Sequence, residues 1–214
     1  SPEFVKLSLA AAMILDLKPG RFYRDARLGC VNLLLSYGEG CAANCSYCGL
    51  ARGRDGNYED KSFIRVPWPL HSVAEVKERI AAHRDRVSRI CLSMITHRRA
   101  REDTLRLLAE LAPLGIPFSL LCIPTLMTEE DLAIFRERGV VRLGIALDAA
   151  NPRLFARHRG AGVAGPHAWE HYWKIFDRGV AVFGLGKGGV HLIAGLGETE
   201  EELIRLMAEI RARG

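Results

Sequence analysis

The 214-residue chain has no run of 18 or more apolar residues, so no segment matches the length that a membrane-spanning helix needs. A strong charge of either sign is missing too. Its 30 basic and 25 acidic side chains leave a net +5 spread along the sequence, which gives nucleic acid or a membrane surface no electrostatic footprint. There is no internal repeat and no low-complexity tract, so solenoid arrays and disordered linkers drop out. No secretory leader is expected. The nearest candidate, Leu7 to Leu15 (LSLAAAMIL), is followed by Asp16 and Lys18 and lacks a small-x-small cleavage site. It reads as a buried helix, and a cytoplasmic location is expected. Ser1-Pro2-Glu3-Phe4 looks like a cloning scar and is set aside from the fold expectation. What remains is 49% apolar and 26% charged, enough to bury one full core.

The pattern along the chain alternates. Helical spacing runs through Val5 to Leu17 until Pro19-Gly20 stops it, so residues 5–30 read as a helical N-terminal extension. Val31 to Tyr37 is a short β-type run, and residues 51–70 read as a long excursion. Ser72-x-x-Glu75 is a capping box that opens a helix to about Arg86. Strands are then expected at Ile90–Ile95, Pro117–Ile123, Val140–Leu147 and Gly189–Ala194. Helices are expected at Arg101–Leu111, Thr128–Arg138 and Ala168–Arg178, with a last one capped by Thr199-x-x-Glu202. Strands that alternate with helices and are apolar on both faces predict an α/β fold with a parallel, right-handed, helix-covered sheet over residues 31–214. In β/α barrels the catalytic groups collect at the carboxyl ends of the strands. Those ends are Ser93 to Thr96, Pro124-Thr125, Asp148 and Gly195 to Glu198, and a cysteine loop follows the first strand.

Three of the six cysteines, Cys41, Cys45 and Cys48, lie within eight residues in a C-x3-C-x2-C spacing. Clustered thiols in a chain without a leader point to a metal site in a reducing compartment rather than to disulfides. Three thiolates can hold three corners of a [4Fe–4S] cluster and leave one iron open. Zinc is the alternative, but a structural zinc site needs four ligands, and the next histidine, His71, lies 23 residues past Cys48.

Cys41-Ala-Ala-Asn-Cys45-Ser-Tyr-Cys48 resembles the signature of the radical S-adenosylmethionine (SAM) superfamily. Ile193-Ala-Gly-Leu-Gly-Glu198 is similar to that family's I-x-G-x-x-E motif on the fifth strand, and IAGLGET most resembles biotin and lipoyl synthases. The resemblance implies a partial (β/α) TIM-type barrel with parallel strands and outer helices. It also implies a [4Fe–4S] cluster whose electron splits SAM, giving a 5′-deoxyadenosyl radical that abstracts hydrogen from an unactivated carbon. The family core has six strands and about five are recognisable here, so the expectation is either that the sequence stops short of the sixth strand or that another segment or chain completes the barrel wall.

The resemblance also assigns residues. Ser93 and Met94, with backbone carbonyls of Ser93 to Thr96, would receive the amino end of SAM, although the family's Gly-Gly-Glu is absent. Asp148 would accept from the ribose diol, or else cap the following segment. Arg159 would meet the SAM carboxylate. Ile193 and Tyr47 would pack the adenine, and Gly195 would let the backbone approach it. His191 stands where the family commonly has glycine, as a substrate contact or a packed core residue. Biotin synthase holds a second, sulfur-donating cluster partly with cysteines on the second and third strands. Cys91 and Cys122 are the candidates here, the alternative being that they are small buried hydrophobes; Cys30 is expected to pack.

The activity implied is sulfur insertion of the lipoyl-synthase kind on an octanoyl substrate, and the resemblance extends to one subunit of a two-protein lipoyl synthase. Alternatives are a biotin-synthase-like enzyme of other chemistry, rearrangement or methylation, and an iron–sulfur electron-transfer or binding module. Expected partners are a reductase or ferredoxin-type donor, a second radical SAM subunit, and a lipoyl-domain or carrier protein met by the basic segment Arg52 to Arg65. The glycine-rich lead Gly160 to Trp169 is either an anion cradle or a plain turn, and Trp169 and Trp173 are expected in the core.

Overall fold

The computed structural model describes residues 2–56 and 66–214. The core is one sheet. Strands β1 (Phe4–Leu7), β2 (Cys30–Leu35), β3 (Leu70–Ser72), β4 (Arg89–Ser93), β5 (Phe118–Cys122), β6 (Val140–Asp148) and β7 (Gly188–Leu192) are ordered β3-β1-β2-β4-β5-β6-β7. From β2 to β7 all pairings are parallel. The helices are α1 (Leu9–Ile14), α2 (Val73–Ala82), α3 (Ala100–Leu111), α4 (Glu129–Glu137), α5 (Pro152–His158), α6 (Trp169–Phe183) and α7 (Glu200–Arg213). This is the α/β, open parallel sheet of a partial TIM-type barrel. Five parallel strands are present among the described residues, with β7 at the edge. No described helix is long and apolar enough to cross a membrane.

The N-terminus departs from expectation. In place of one helix from Val5, Phe4–Leu7 forms an antiparallel strand between β2 and β3, pairing Val5 with Leu35 and Phe4 with Ser72. Its backbone groups are satisfied by two neighbours, and Val5, Lys6 and Leu7 become fully buried, a tertiary gain that overrides local helical spacing. Phe4 is therefore part of the sheet rather than an inert tail. The helix starts only after Ser8, whose hydroxyl accepts from Ala11 N at 3.2 Å.

Two of the three expected caps close in both directions. Thr128 with Asp131 and Thr199 with Glu202 form full boxes. Ser72 accepts from Glu75 N at 3.1 Å, but the Glu75 carboxylate turns to His71 Nδ1 at 3.0 Å, so that box is only half made. α2 ends at Ala82, and a short 3-10 turn carries the chain on to Arg86.

Strand parity sorts the sheet into two faces. Leu33, Leu92, Leu120, Leu143 and Ile145 lie on one, buried with the apolar sides of the helices. Asn32, Cys91, Ser93, Ser119, Leu121, Gly144 and His191 lie on the other, which lines the barrel interior and is more polar than an all-apolar parallel sheet.

Candidate active site

The cysteine loop after β2 is held by hydrogen bonds to two distant segments. Ala42 N donates to Thr96 O beyond β4 at 2.7 Å. Ser46 N donates to His158 O at 2.9 Å, and Ser46 Oγ meets His158 Nδ1 at 2.8 Å. Asn44 Nδ2 donates to Val163 O, and Arg52 bridges Ala42 O and Ala164 O. The glycine-rich segment after α5 is thus a turn that supports the loop. A Cβ on Gly165 would lie 2.1 Å from Arg159 O, so only glycine lets the segment fold back there. Trp169 and Trp173 stack edge-on at 5.9 Å and pack against the core.

Cys41, Cys45 and Cys48 line one cavity of about 80 Å³ with Tyr47, Ser93, Met94, Asp148 and Arg159. Burial raises the Cys45 thiol above the ordinary range and pushes Cys48 up to about 11. Without a cation both hold their protons at neutral pH, and a bound metal would replace those protons. Leu50 N–H already points at Cys48 Sγ, at 3.4 Å. Among the described residues no group of three or more His, Cys, Asp or Glu side chains converges on the position of one ion. The thiols instead stand around a shared space, a donor set suited to a cluster that takes one thiolate per iron.

Asp148 and Arg159 form an ion pair inside this cavity, 8% and 4% exposed. Asp148 closes β6 at φ +67, beside a register shift against β7. A side chain other than glycine held there marks a place where the fold stores strain. Tyr47 Oη donates to Asp148 Oδ2 at 2.6 Å, and Arg159 Nη1 donates to Tyr47 Oη at 3.1 Å. Arg159 Nη2 donates to Tyr172 Oη at 3.0 Å. Thr125 Oγ1 and Tyr172 Oη both reach His167 Nδ1, at 2.7 and 3.0 Å. Burial, then the Arg159 charge, lowers His167 to about 3, so it is neutral. Arg159 Nε and His167 Nε2 are buried without a hydrogen-bond partner.

The three cysteines, Tyr47, Ser93, Met94, Asp148 and Arg159 therefore come together as the sequence suggested. Tyr47, Asp148 and Arg159 are bonded to one another, and Tyr47 spends its hydroxyl on Asp148. Asp148 is not a helix cap, since Asn151 takes that role by accepting from Leu154 N at 2.9 Å. Ile193 and Gly195 do not line the cavity. Ile193 N donates to Asp148 O at 2.8 Å and so fixes the strained residue from behind. Gly195 sits at φ +96, and Glu198 accepts from the amides of Gly195 and Leu196, closing the turn. His191 is exposed and lines a second cavity, on the inner face. Sequence reading missed His167 and Tyr172, which no local signal ties to Arg159.

The second-cluster pair does not survive. Cys91 pairs in register with Ser119, which puts Cys122 on the opposite face of β5. Cys122 is fully buried beneath the helices, where its thiol is raised to about 12, and it cannot share a ligand with Cys91. Cys30, expected to pack, instead lines the inner cavity within hydrogen-bonding reach of Cys91. The basic segment proposed to meet a carrier protein lies partly outside the described residues.

Comparison with known proteins agrees with this geometry. Among solved structures, methylornithine synthase (PylB) superposes with a TM-score of 0.65 at 14% identity, covering 95% of this chain and 54% of that one. The [FeFe]-hydrogenase maturase HydG from Carboxydothermus hydrogenoformans gives 0.62 at 19%, covering 94% and 43%. The radical SAM methyltransferase TsrM from Kitasatospora setae gives 0.54 at 16%, covering 85% and 34%. At these identities the likeness is one of fold, and the chain spans about half or less of the length of each. No curated protein matches it. The sequence profile of the radical SAM superfamily, however, matches residues 35–210, from the end of β2 into α7 and across both motifs; the chain belongs to that superfamily.

Proposed function

We propose that this chain is the catalytic barrel of a radical SAM enzyme that abstracts hydrogen from an unactivated carbon. The observation that carries the reading is the convergence of three cysteines and a buried Asp148–Arg159 pair on one cavity at the carboxyl ends of parallel strands. The residues suit the family's groups. Cys41, Cys45 and Cys48 would hold a [4Fe–4S] cluster by three corners, and the partnerless Arg159 Nε and His167 Nε2 offer polar atoms to a bound SAM. When bound, the pair supplies one-electron cleavage of a sulfonium C–S bond and a carbon radical. The protein's own part is to hold and to exclude. Asp148 and Tyr47 fix Arg159, while Met94, Ile95, Leu121 and Ile123 make the wall apolar and keep water from the radical. A reductase or ferredoxin-type protein would deliver the electron.

Sulfur insertion of the lipoyl-synthase kind is the finer reading, and the adjacent thiols of Cys30 and Cys91 in the barrel interior favour it over rearrangement or methylation. The test is anaerobic reconstitution with iron and sulfide, followed by SAM and dithionite. 5′-Deoxyadenosine should form and should vanish in Cys45→Ala. A loaded cluster that yields none in the wild-type protein would overturn the radical reading. A product free of new sulfur, or a Cys30→Ala, Cys91→Ala variant that still makes a thiolated product, would remove the finer one.

A further inference from the structure

The interior of the barrel holds a second cavity, of about 410 Å³, beneath the three-cysteine site. Leu121 lines both, so the two spaces are neighbours along the inner face of β5. The lower one opens where the strands begin, and three permanent cations surround it: Arg89 at the start of β4, Arg142 near the start of β6 and Lys187 just before β7. Arg89 is half buried, while Arg142 and Lys187 stand at the exposed rim. No Asp or Glu lines the cavity, and none of the three cations has an ion-pair partner among the described residues. Arg89 Nε is buried with no hydrogen-bond partner at all. Asn32, Ser119 and His191 add neutral polar groups to the same wall.

Three like charges around one concavity repel one another and leave a positive potential that a bound anion would offset. The lining groups able to supply negative charge are the thiols of Cys30 and Cys91, and Cys91 is held protonated by its hydrogen bond with Cys30 and by burial. Even with the Cys30 thiol ionised, at least two of the three positive charges remain unmatched. Guanidinium groups fit oxyanions by paired N–H donors. The neighbouring cavity, by the three cysteines, is apolar.

We propose that this cavity is the substrate subsite, and that it recognises a small molecule bearing an oxyanion group, carboxylate or phosphate, by Arg89, Arg142 and Lys187. The anionic end sits at the strand starts and the aliphatic portion passes Leu121 toward the three-cysteine site. The inference depends on the radical SAM reading for which end reacts. It narrows the sulfur-insertion reading to a free acid or phosphate ester, in place of the carrier-bound octanoyl chain that the lipoyl-synthase resemblance implies.

Anion binding can be measured without any radical chemistry. Calorimetric titration of the cluster-free protein would use inorganic phosphate, octanoate and the neutral octanamide as probes. Phosphate or octanoate should bind, and Arg142→Gln with Lys187→Gln should weaken it roughly tenfold or more, the scale of a lost charge-assisted hydrogen bond. Arg106→Gln with Arg205→Gln, exposed on α3 and α7, outside the cavity lining and of equal charge change, should bind as the wild type does. Preference for phosphate would indicate a phosphate ester and preference for octanoate a carboxylate; either supports the subsite. Equal binding of octanamide and octanoate, no binding of either anion, or equal weakening by the Arg106→Gln, Arg205→Gln control would overturn it. If the double variant fails to fold, Lys187→Gln alone, at an exposed position, must still weaken the anion. A wild-type protein that binds the anion but never forms deoxyadenosine would sink the radical reading and leave the subsite standing.

Discussion

Replacing Asp148 by Asn removes one charge from the buried pair and changes little else. Asn tolerates the left-handed backbone at φ +67, and its amide can still accept from Tyr47, so neither strain nor that hydrogen bond is lost by design. What remains is the Arg159 guanidinium at 4% exposure with no counter-charge. Both partners are too buried for solvent screening to soften the effect. Breaking such a pair by removing one partner typically costs ~3–5 kcal/mol, because the surviving charge stays desolvated. For a chain of this size each kcal/mol is worth ~2–4 °C, so the melting temperature should fall by roughly 6–20 °C. Thermal and urea unfolding followed by circular dichroism would read this directly. The double variant Asp148→Asn, Arg159→Leu carries no orphaned charge and should melt above Asp148→Asn alone. Added salt should change the difference little, since a buried pair is weakly screened. An Asp148→Asn protein melting within about 2 °C of the wild type, or strictly additive effects in the double variant, would refute the claim that this pair is a buried, mutually dependent unit.

Other outcomes follow from the same structure. His167, lowered to about 3, should show no imidazole titration between about pH 5 and 8 by NMR. Its unfolded form takes a proton near pH 6.5 and the folded form does not, so stability present above that value is lost as the pH falls toward 3. His167→Gln should flatten that acid limb. The Cys30 thiol is lowered by its hydrogen bond with Cys91, with Arg89 assisting against burial. Iodoacetamide should therefore label it with a midpoint below the ordinary thiol range, read by peptide mass spectrometry, and Cys91→Ala should move that midpoint up.

Where local rules and tertiary packing agree, the sequence was readable. The parallel strands from Val31 onward, the boxes at Thr128 and Thr199 and the C-x3-C-x2-C spacing are each recognised from residues close in the chain. The failures share one cause, which is that distant partners decide. Phe4–Leu7 looks helical alone and is a strand because β2 and β3 present open backbone on either side of it. α5, over Pro152–His158, is short and has no extended apolar period, yet its Asn151 cap and buried Leu154 and Phe155 fix it. Asp148 and Arg159 were assigned separately to a ligand, and only the fold shows that they first bind each other.

Strand register carries the remaining step. A cysteine's position along a strand does not tell which face it serves until its neighbour's register is known. Ser119 opposite Cys91 puts Cys122 behind the sheet, and the same count places Cys91, Ser93 and Leu121 in front of it. From that one face two environments follow in order along the barrel. The starts of the strands contribute Arg89, Arg142 and Lys187, and the ends contribute Ser93, Asp148 and the thiol loop. A molecule long enough to touch both would place its charged end among cations and its aliphatic end where water is excluded. Reactive carbon chemistry requires that separation, because the radical must meet a C–H bond and not solvent. The polarity of the inner face thus supports the proposed division of the barrel, with recognition below Leu121 and chemistry above it.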